Sequence, residues 1–166
     1  MSPTDDRGPT RARGLLALGG FLAPCLAVWA LNGAVTATSV DGWYRTLSKP
    51  AFNPPDWVFA PVWSALYVMM ALAAWLVWRR VGLAGGRIAL SLWGVQLALN
   101  LAWSILFFGL NRIGLALVDI VLLLLAIATT TVAFWRIDAR AGLLFLPYLL
   151  WVGYATVLNG ALWALN

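Results

Sequence analysis

Few side chains in this 166-residue chain are equipped to move a proton, attack a carbonyl or hold a metal. Histidine is absent, which removes the commonest general base and the commonest metal ligand. The single cysteine, Cys25, excludes a disulfide framework within the chain. The sequence has no Ser-His-Asp set, no metal-ligand cluster and no phosphate loop, so ordinary acid–base catalysis is not expected and no cofactor is required. Ring surface takes their place: 11 tryptophans, 7 phenylalanines and 4 tyrosines. Such rings stack on flat, apolar molecules. Two polar residues stand out against this background. Asn100 falls in the middle of an apolar run, where an amide must find a hydrogen-bond partner or contact a ligand. Asp119 is the only carboxylate inside such a run. The favoured reading of Asp119 is a structural ion pair with Arg112, about two turns away, fastening the helix hairpin or the loop carrying Arg45 and Lys49; a proton-carrying role is the alternative.

The elements that must position these residues are membrane helices. The chain is 63% hydrophobic and only 10% charged, with a mean hydropathy of +0.86. A soluble domain of this size needs far more surface charge. The net charge of +5 is spread over loops, with no basic run, so nucleic-acid binding has no footprint. A short polar tail, 1–13, precedes a five-helix transmembrane domain over 14–166. Its apolar segments fall at roughly 14–36, 58–78, 88–108, 113–135 and 141–163, each about the 20 residues needed to cross the hydrocarbon core. Arg7, Arg11 and Arg13 before the first segment resemble a signal peptide's charged start, and Leu22-Ala23-Pro24-Cys25 a lipoprotein box. The apolar run is too long for a signal h-region, and proline beside the cysteine fits the box badly, so a retained helix is expected. Pro24 and Pro147 fall inside spans, where membrane helices tolerate kinks.

One connection differs from the rest. Between the first two spans, Trp43, Tyr44, Phe52, Trp57, Phe59 and Trp63 are interleaved with Pro50, Pro54, Pro55 and Pro61. Proline fixes φ and restricts the residue before it, so this stretch is a stiff, structured loop rather than a long helix. The other connections, near Arg79–Arg87, Gly109–Arg112 and Arg136–Arg140, are short and join antiparallel neighbours. The tail side collects Arg7, Arg11, Arg13, Arg79, Arg80, Arg87, Arg136 and Arg140, against Arg45, Lys49 and Arg112 on the loop side. That asymmetry puts the N-terminus inside and the loop and C-terminus outside. No internal repeat supports an inverted-repeat transporter.

On the third span, Gly94, Ala98 and Ala102 form a small-xxx-small ridge for close helix contact, within the bundle or between two copies. The opposite face carries Gln96, Asn100, Trp103 and Phe107. Similar stripes are Trp63, Tyr67 and Met70 on the second span and Trp151, Ala155 and Leu158 on the fifth. Trp75, Trp78, Trp135 and Trp163 sit at segment ends and read as interfacial belt residues.

These residues resemble the tryptophan-rich sensory protein / translocator protein family, also called the peripheral-type benzodiazepine receptor family (TspO/MBR). The matching runs are Trp43-Tyr44 with Leu47 and Lys49-Pro50, Pro54-Pro55 with Trp57, and Pro61-Val62-Trp63 with Leu66-Tyr67. Further along come Gln96-Leu97-Ala98-Leu99-Asn100, Trp103, Phe107-Phe108-Gly109, Ala116-Leu117-Val118-Asp119, and Pro147-Tyr148 with Trp151 and Ala155-Thr156. The resemblance implies an all-α integral membrane protein, a five-helix bundle with a ligand cavity under its long first loop, often dimeric. It implies binding of porphyrins, isoquinoline-carboxamide and benzodiazepine-type drugs and, in some members, cholesterol. Carried onto this chain, the cavity residues are Ala23, Trp43, Trp63, Asn100 and Trp103. They continue with Phe107, Trp151, Ala155 and Leu158. The cholesterol pattern needs a Tyr and then a basic residue late in the fifth helix; Ala155 to Trp163 has neither, so sterol binding is not expected. Leu115 stands where some relatives have Trp.

The leading functional expectation is a membrane receptor or carrier for tetrapyrroles such as protoporphyrin IX or haem, with Arg45 or Lys49 pairing the propionates. Without histidine, metal-free porphyrin is expected to bind at least as well as haem. The alternatives are light-dependent porphyrin breakdown through Trp63 and Trp151, proton-coupled export using Asp119, and a sensory role through a partner protein.

Overall fold

The computed structural model describes residues 11–166; Arg7 and most of the polar tail expected over 1–13 lie outside the described residues. Six α-helices occur in chain order: α1 (Arg11–Ala37), α2 (Trp43–Thr46), α3 (Phe59–Gly85), α4 (Arg87–Ser104), α5 (Ile113–Ile137) and α6 (Ala139–Leu165). A 3₁₀ turn, Asp56–Val58, leads into α3, and a π turn, Ile105–Gly109, ends α4. All but α2 are long and apolar enough to span a membrane. In hydrocarbon each backbone N–H and C=O must be satisfied within the segment, and a helix does this. The chain is therefore an all-α, multi-pass membrane protein with five spanning helices and a long first loop.

The helices form a closed ring. α1 packs on α3, α3 on α6, α6 on α5, α5 on α4, and α4 back on α1. Leu16, Leu125, Leu150 and Val157 point outward, as expected for side chains that face lipid. The end of the ring away from the first loop is solid. Ala71, Ala73, Ala74 and Val77 of α3 are fully buried and let it approach its neighbours closely. Phe134 of α5 and Phe145 of α6 meet edge to face, with centroids 5.0 Å apart. Gly142 sets the separation of α5 and α6, since a Cβ there would lie 2.6 Å from the Trp135 ring and 2.9 Å from its Cα. Asp138 caps α6 by accepting from the Arg140 N–H at 2.9 Å.

Two local features depart from the sequence expectation. The second span does not stop near residue 78: helix continues through Arg79 and Arg80 as far as a kink, beyond which a last short turn reaches Gly85. Arg79 folds back over Trp75, 4.6 Å from the ring centroid, which lets a charged residue stay helical at the membrane edge. The break comes at Gly82, with φ 68° and ψ −176°, a conformation essentially restricted to glycine. The expected Asp119–Arg112 ion pair is absent. Arg112 caps α5 from outside the helix (φ −102°, ψ 75°), and seven residues of helix separate the two by about 10 Å of rise. Asp119 is buried, and its Oδ2 has no hydrogen-bond partner among the described residues.

Candidate ligand cavity under the first loop

Prolines dictate the shape of the loop. Pro50 O accepts from Asn53 N–H at 3.0 Å and Pro55 O from Val58 N–H at 3.0 Å, closing two tight turns on either side of the Pro54-Pro55 pair. Pro61 falls in the first turn of α3, where its missing N–H costs nothing. Side chains then tie the loop down. Tyr44 donates to Asn53 Oδ1 at 3.1 Å, and Lys49 Nζ sits 4.2 Å from the Tyr44 ring centroid. The Tyr154 hydroxyl of α6 donates to Phe52 O at 2.6 Å. The Asn166 side chain makes a reciprocal pair with the Ser48 backbone, accepting at 2.9 Å and donating at 3.1 Å.

Beneath this cap lies a cavity of about 530 Å³. α1 contributes Asn32, Gly33 and Thr36; α3 contributes Phe59, Trp63 and Tyr67. α4 and its π turn supply Asn100, Trp103, Ser104 and Phe107, and α6 supplies Ala155, Leu158, Asn159 and Leu162. Trp103 and Phe107, four residues apart across the start of the π turn, stack 5.2 Å apart with planes at 23°, presenting a continuous ring wall. Trp103 is locked from behind: its indole N–H donates to Asn159 Oδ1 at 3.0 Å, and Asn159 Nδ2 donates to Ile113 O at 3.1 Å.

The floor is a hydrogen-bonded chain that runs in one direction. Asn32 Nδ2 donates to the Tyr67 hydroxyl at 2.7 Å and to Asn100 Oδ1 at 2.8 Å. Tyr67 in turn donates to Asn100 Oδ1. Asn100 Nδ2 donates to the Tyr148 hydroxyl at 3.2 Å, and Tyr148 donates to Gln96 Oε1 at 2.9 Å. Four helices are thus joined at one level, with Tyr67, Gln96, Asn100 and Tyr148 all buried. The mid-span amide at 100 has the partners its depth demands.

The residues expected at a ligand site are distributed unevenly. Trp63, Asn100, Trp103, Phe107, Ala155 and Leu158 line the cavity. Ala23 does not: it is exposed on the outer side of α1. Trp43 stands behind the wall, edge-on to Phe107 at 5.6 Å. Trp151 also stands behind it, against Phe59 at 5.9 Å and Tyr154 at 5.8 Å, with its Nε1 buried and unpartnered. Arg45 and Lys49 do not line the cavity; Arg45 instead pairs with Asp41 at 2.6 Å. Asp119 lies off the cavity on α5. Gly94 and Ala98 are exposed and Ala102 half-buried, and nothing lies within 4 Å of a Cβ built on Gly94.

Sequence reasoning passed over Asn32 and Asp56. Asn32 was legible as a further amide inside an apolar run, like Gln96 and Asn159. Asp56 carried no signal that set it apart from the loop's other ionic residues, Asp41, Arg45 and Lys49.

Comparison with known proteins gives a consistent result. Residues 21–164 match the sequence model of the TspO/MBR family. The chain is 40% identical over 152 residues to the human "Translocator protein", covering 90% of this chain and 89% of that one. It is 43% identical over 146 residues to the "Tryptophan-rich sensory protein" of Cereibacter sphaeroides, covering 88% and 89%. It is 41% identical over 142 residues to "Protein CrtK" of Rhodobacter capsulatus, covering 82% and 87%.

Proposed function

Because the chain belongs to the TspO/MBR family, we propose that it is a membrane receptor or carrier that holds a flat tetrapyrrole of the protoporphyrin type under its first loop. The observation that carries this reading is the ring-walled cavity. Its volume of about 530 Å³ falls within the roughly 300–1,000 Å³ common for small-molecule sites. Trp63, Trp103 and Phe107 offer faces for stacking, and apolar burial supplies most of the affinity. Among the described residues no His, Cys or Met lines the cavity, and of the lining oxygen donors Tyr67 is engaged with Asn32 and Asn100. Metal-free porphyrin therefore binds at least as well as haem.

Titration with protoporphyrin IX, followed by tryptophan fluorescence, tests this. Saturable quenching that weakens in Trp103→Ala is expected; absence of saturable quenching rejects the reading. One contact favours a second activity, light-dependent breakdown of the bound ring: Trp63 lies on the wall. Loss of the porphyrin band on illumination, slowed in Trp63→Phe, is its signature; a band that persists in the wild-type complex leaves binding alone. The exposed Gly94 and Ala98 suit a contact between two copies through α4. The arginine-rich end, with Arg79, Arg80, Arg87, Arg136 and Arg140, is assigned to the inside of the membrane.

A further inference from the structure

Among the described residues, Asp56 is the only charged side chain on the cavity wall. It begins the 3₁₀ turn that leads into α3 and is exposed. With it, Trp29, Gly33 and Ala37 of α1 and Ala60 of α3 both line the cavity and are exposed, so the cavity opens between α1 and the start of α3. No Cβ-distance contact fills the gap at Gly33. Asp56 thus stands where the cavity meets the outside, beside the start of α3.

Neither nearby cation of the loop lines the cavity. Arg45 is paired with Asp41 at 2.6 Å, and Lys49 lies on the Tyr44 ring. No ion pair engages Asp56 among the described residues. Its charge nevertheless reaches the wall: burial lifts the Tyr44 phenol above its ordinary range, and the Asp56 charge adds to the lift.

We propose that Asp56 sets the head-group preference of the cavity, so that it selects a flat apolar ring whose outer end is cationic or neutral over one that ends in carboxylates. This rests on the cavity being the ligand site, as proposed above, and narrows the ligand class. Within the tetrapyrroles it favours esterified or amine-bearing rings over free propionic acids. One unit charge about 8 Å from another changes affinity by roughly two- to thirtyfold as the effective dielectric falls from that of water toward 20.

The test uses the full chain in nanodiscs of zwitterionic phosphatidylcholine, which contribute no surface charge. Three porphyrins with the same ring are titrated: protoporphyrin IX, its dimethyl ester, and its bis-amide carrying tertiary amines. In wild type the amine form binds most tightly and the free acid most weakly, the two differing roughly tenfold or more. Asp56→Asn compresses that ratio at least roughly threefold while leaving the dimethyl ester unchanged, which also reports an intact fold. Lys49→Gln leaves the ratio unchanged. The discrimination shrinks as salt rises. Free acid bound as tightly as the amine form in wild type, or a ratio unaltered by Asp56→Asn, overturns the proposal. If none of the three binds saturably, the tetrapyrrole reading fails separately. The comparison is then made with 9-aminoacridine, acridine and acridine-9-carboxylate, and equal binding, or none, overturns the role of Asp56.

Discussion

Replacing Tyr148 by phenylalanine removes one oxygen atom from the floor of the cavity and nothing else. That hydroxyl accepts from Asn100 Nδ2 at 3.2 Å and donates to Gln96 Oε1 at 2.9 Å. Tyr148 and Gln96 are fully buried, so water cannot replace either bond. Gln96 Nε2 already lacks a partner, and the substitution strands the whole amide. Side-chain hydrogen bonds in membrane bundles contribute roughly 0.6 kcal/mol on average and up to about 1.7. Two such bonds and a stranded buried acceptor put the loss at about 1–3 kcal/mol. Unfolding in mixed detergent micelles, followed by far-UV circular dichroism, measures it. The sharper reading is a double-mutant cycle with Gln96→Leu, which removes the acceptor that Tyr148→Phe would strand. If the floor is one connected network, the two changes together cost less than their separate costs combined, by about 1 kcal/mol. Additivity within error would refute the connected network.

Other expectations follow from single contacts. Gly142→Ala puts a Cβ into the Trp135 ring and against its backbone, and should destabilise the α5–α6 hairpin by about 1–3 kcal/mol in the same assay. The Asp138 carboxyl is held below the ordinary aspartate range, chiefly by the side-chain hydrogen bonds from Arg140. A depressed carboxyl contributes stability above its ordinary value of 3.8 and loses it as the pH falls through the depressed one. The gap in melting temperature between wild type and Asp138→Asn should therefore close on acidification. Trp103→Phe removes the indole bond to Asn159 and part of the Phe107 stack; it should weaken porphyrin binding roughly five- to tenfold and, by stranding the buried Asn159 Oδ1, cost about 1–2 kcal/mol of stability.

The five spans were legible because an apolar run of about 20 residues has few other uses. The first loop was legible because four prolines within Pro50–Pro61 exclude a long helix. The shared face of Gln96, Asn100, Trp103 and Phe107 follows from helical periodicity, and all four turn toward the bundle interior. Periodicity gives an angle but not a depth or a rotamer. Trp43 and Trp151 point inward yet stop one layer behind the wall, held by Phe107 and by Phe59. Asp119 and Arg112 share a helical azimuth but not a height, because Arg112 lies outside the first turn. The charge of the cavity mouth was not legible either. Which of the loop's ionic groups faces the interior depends on how the loop folds back, and Arg45 and Lys49 are satisfied locally while Asp56 turns toward the opening.

The most direct measurement is a structure of the protein saturated with protoporphyrin IX dimethyl ester. A planar density lying against Trp63 and the stacked pair Trp103–Phe107, with its outer end at the α1–α3 opening beside Asp56, is the predicted result. Density on the lipid-facing surface, with the cavity under the first loop empty, would contradict it.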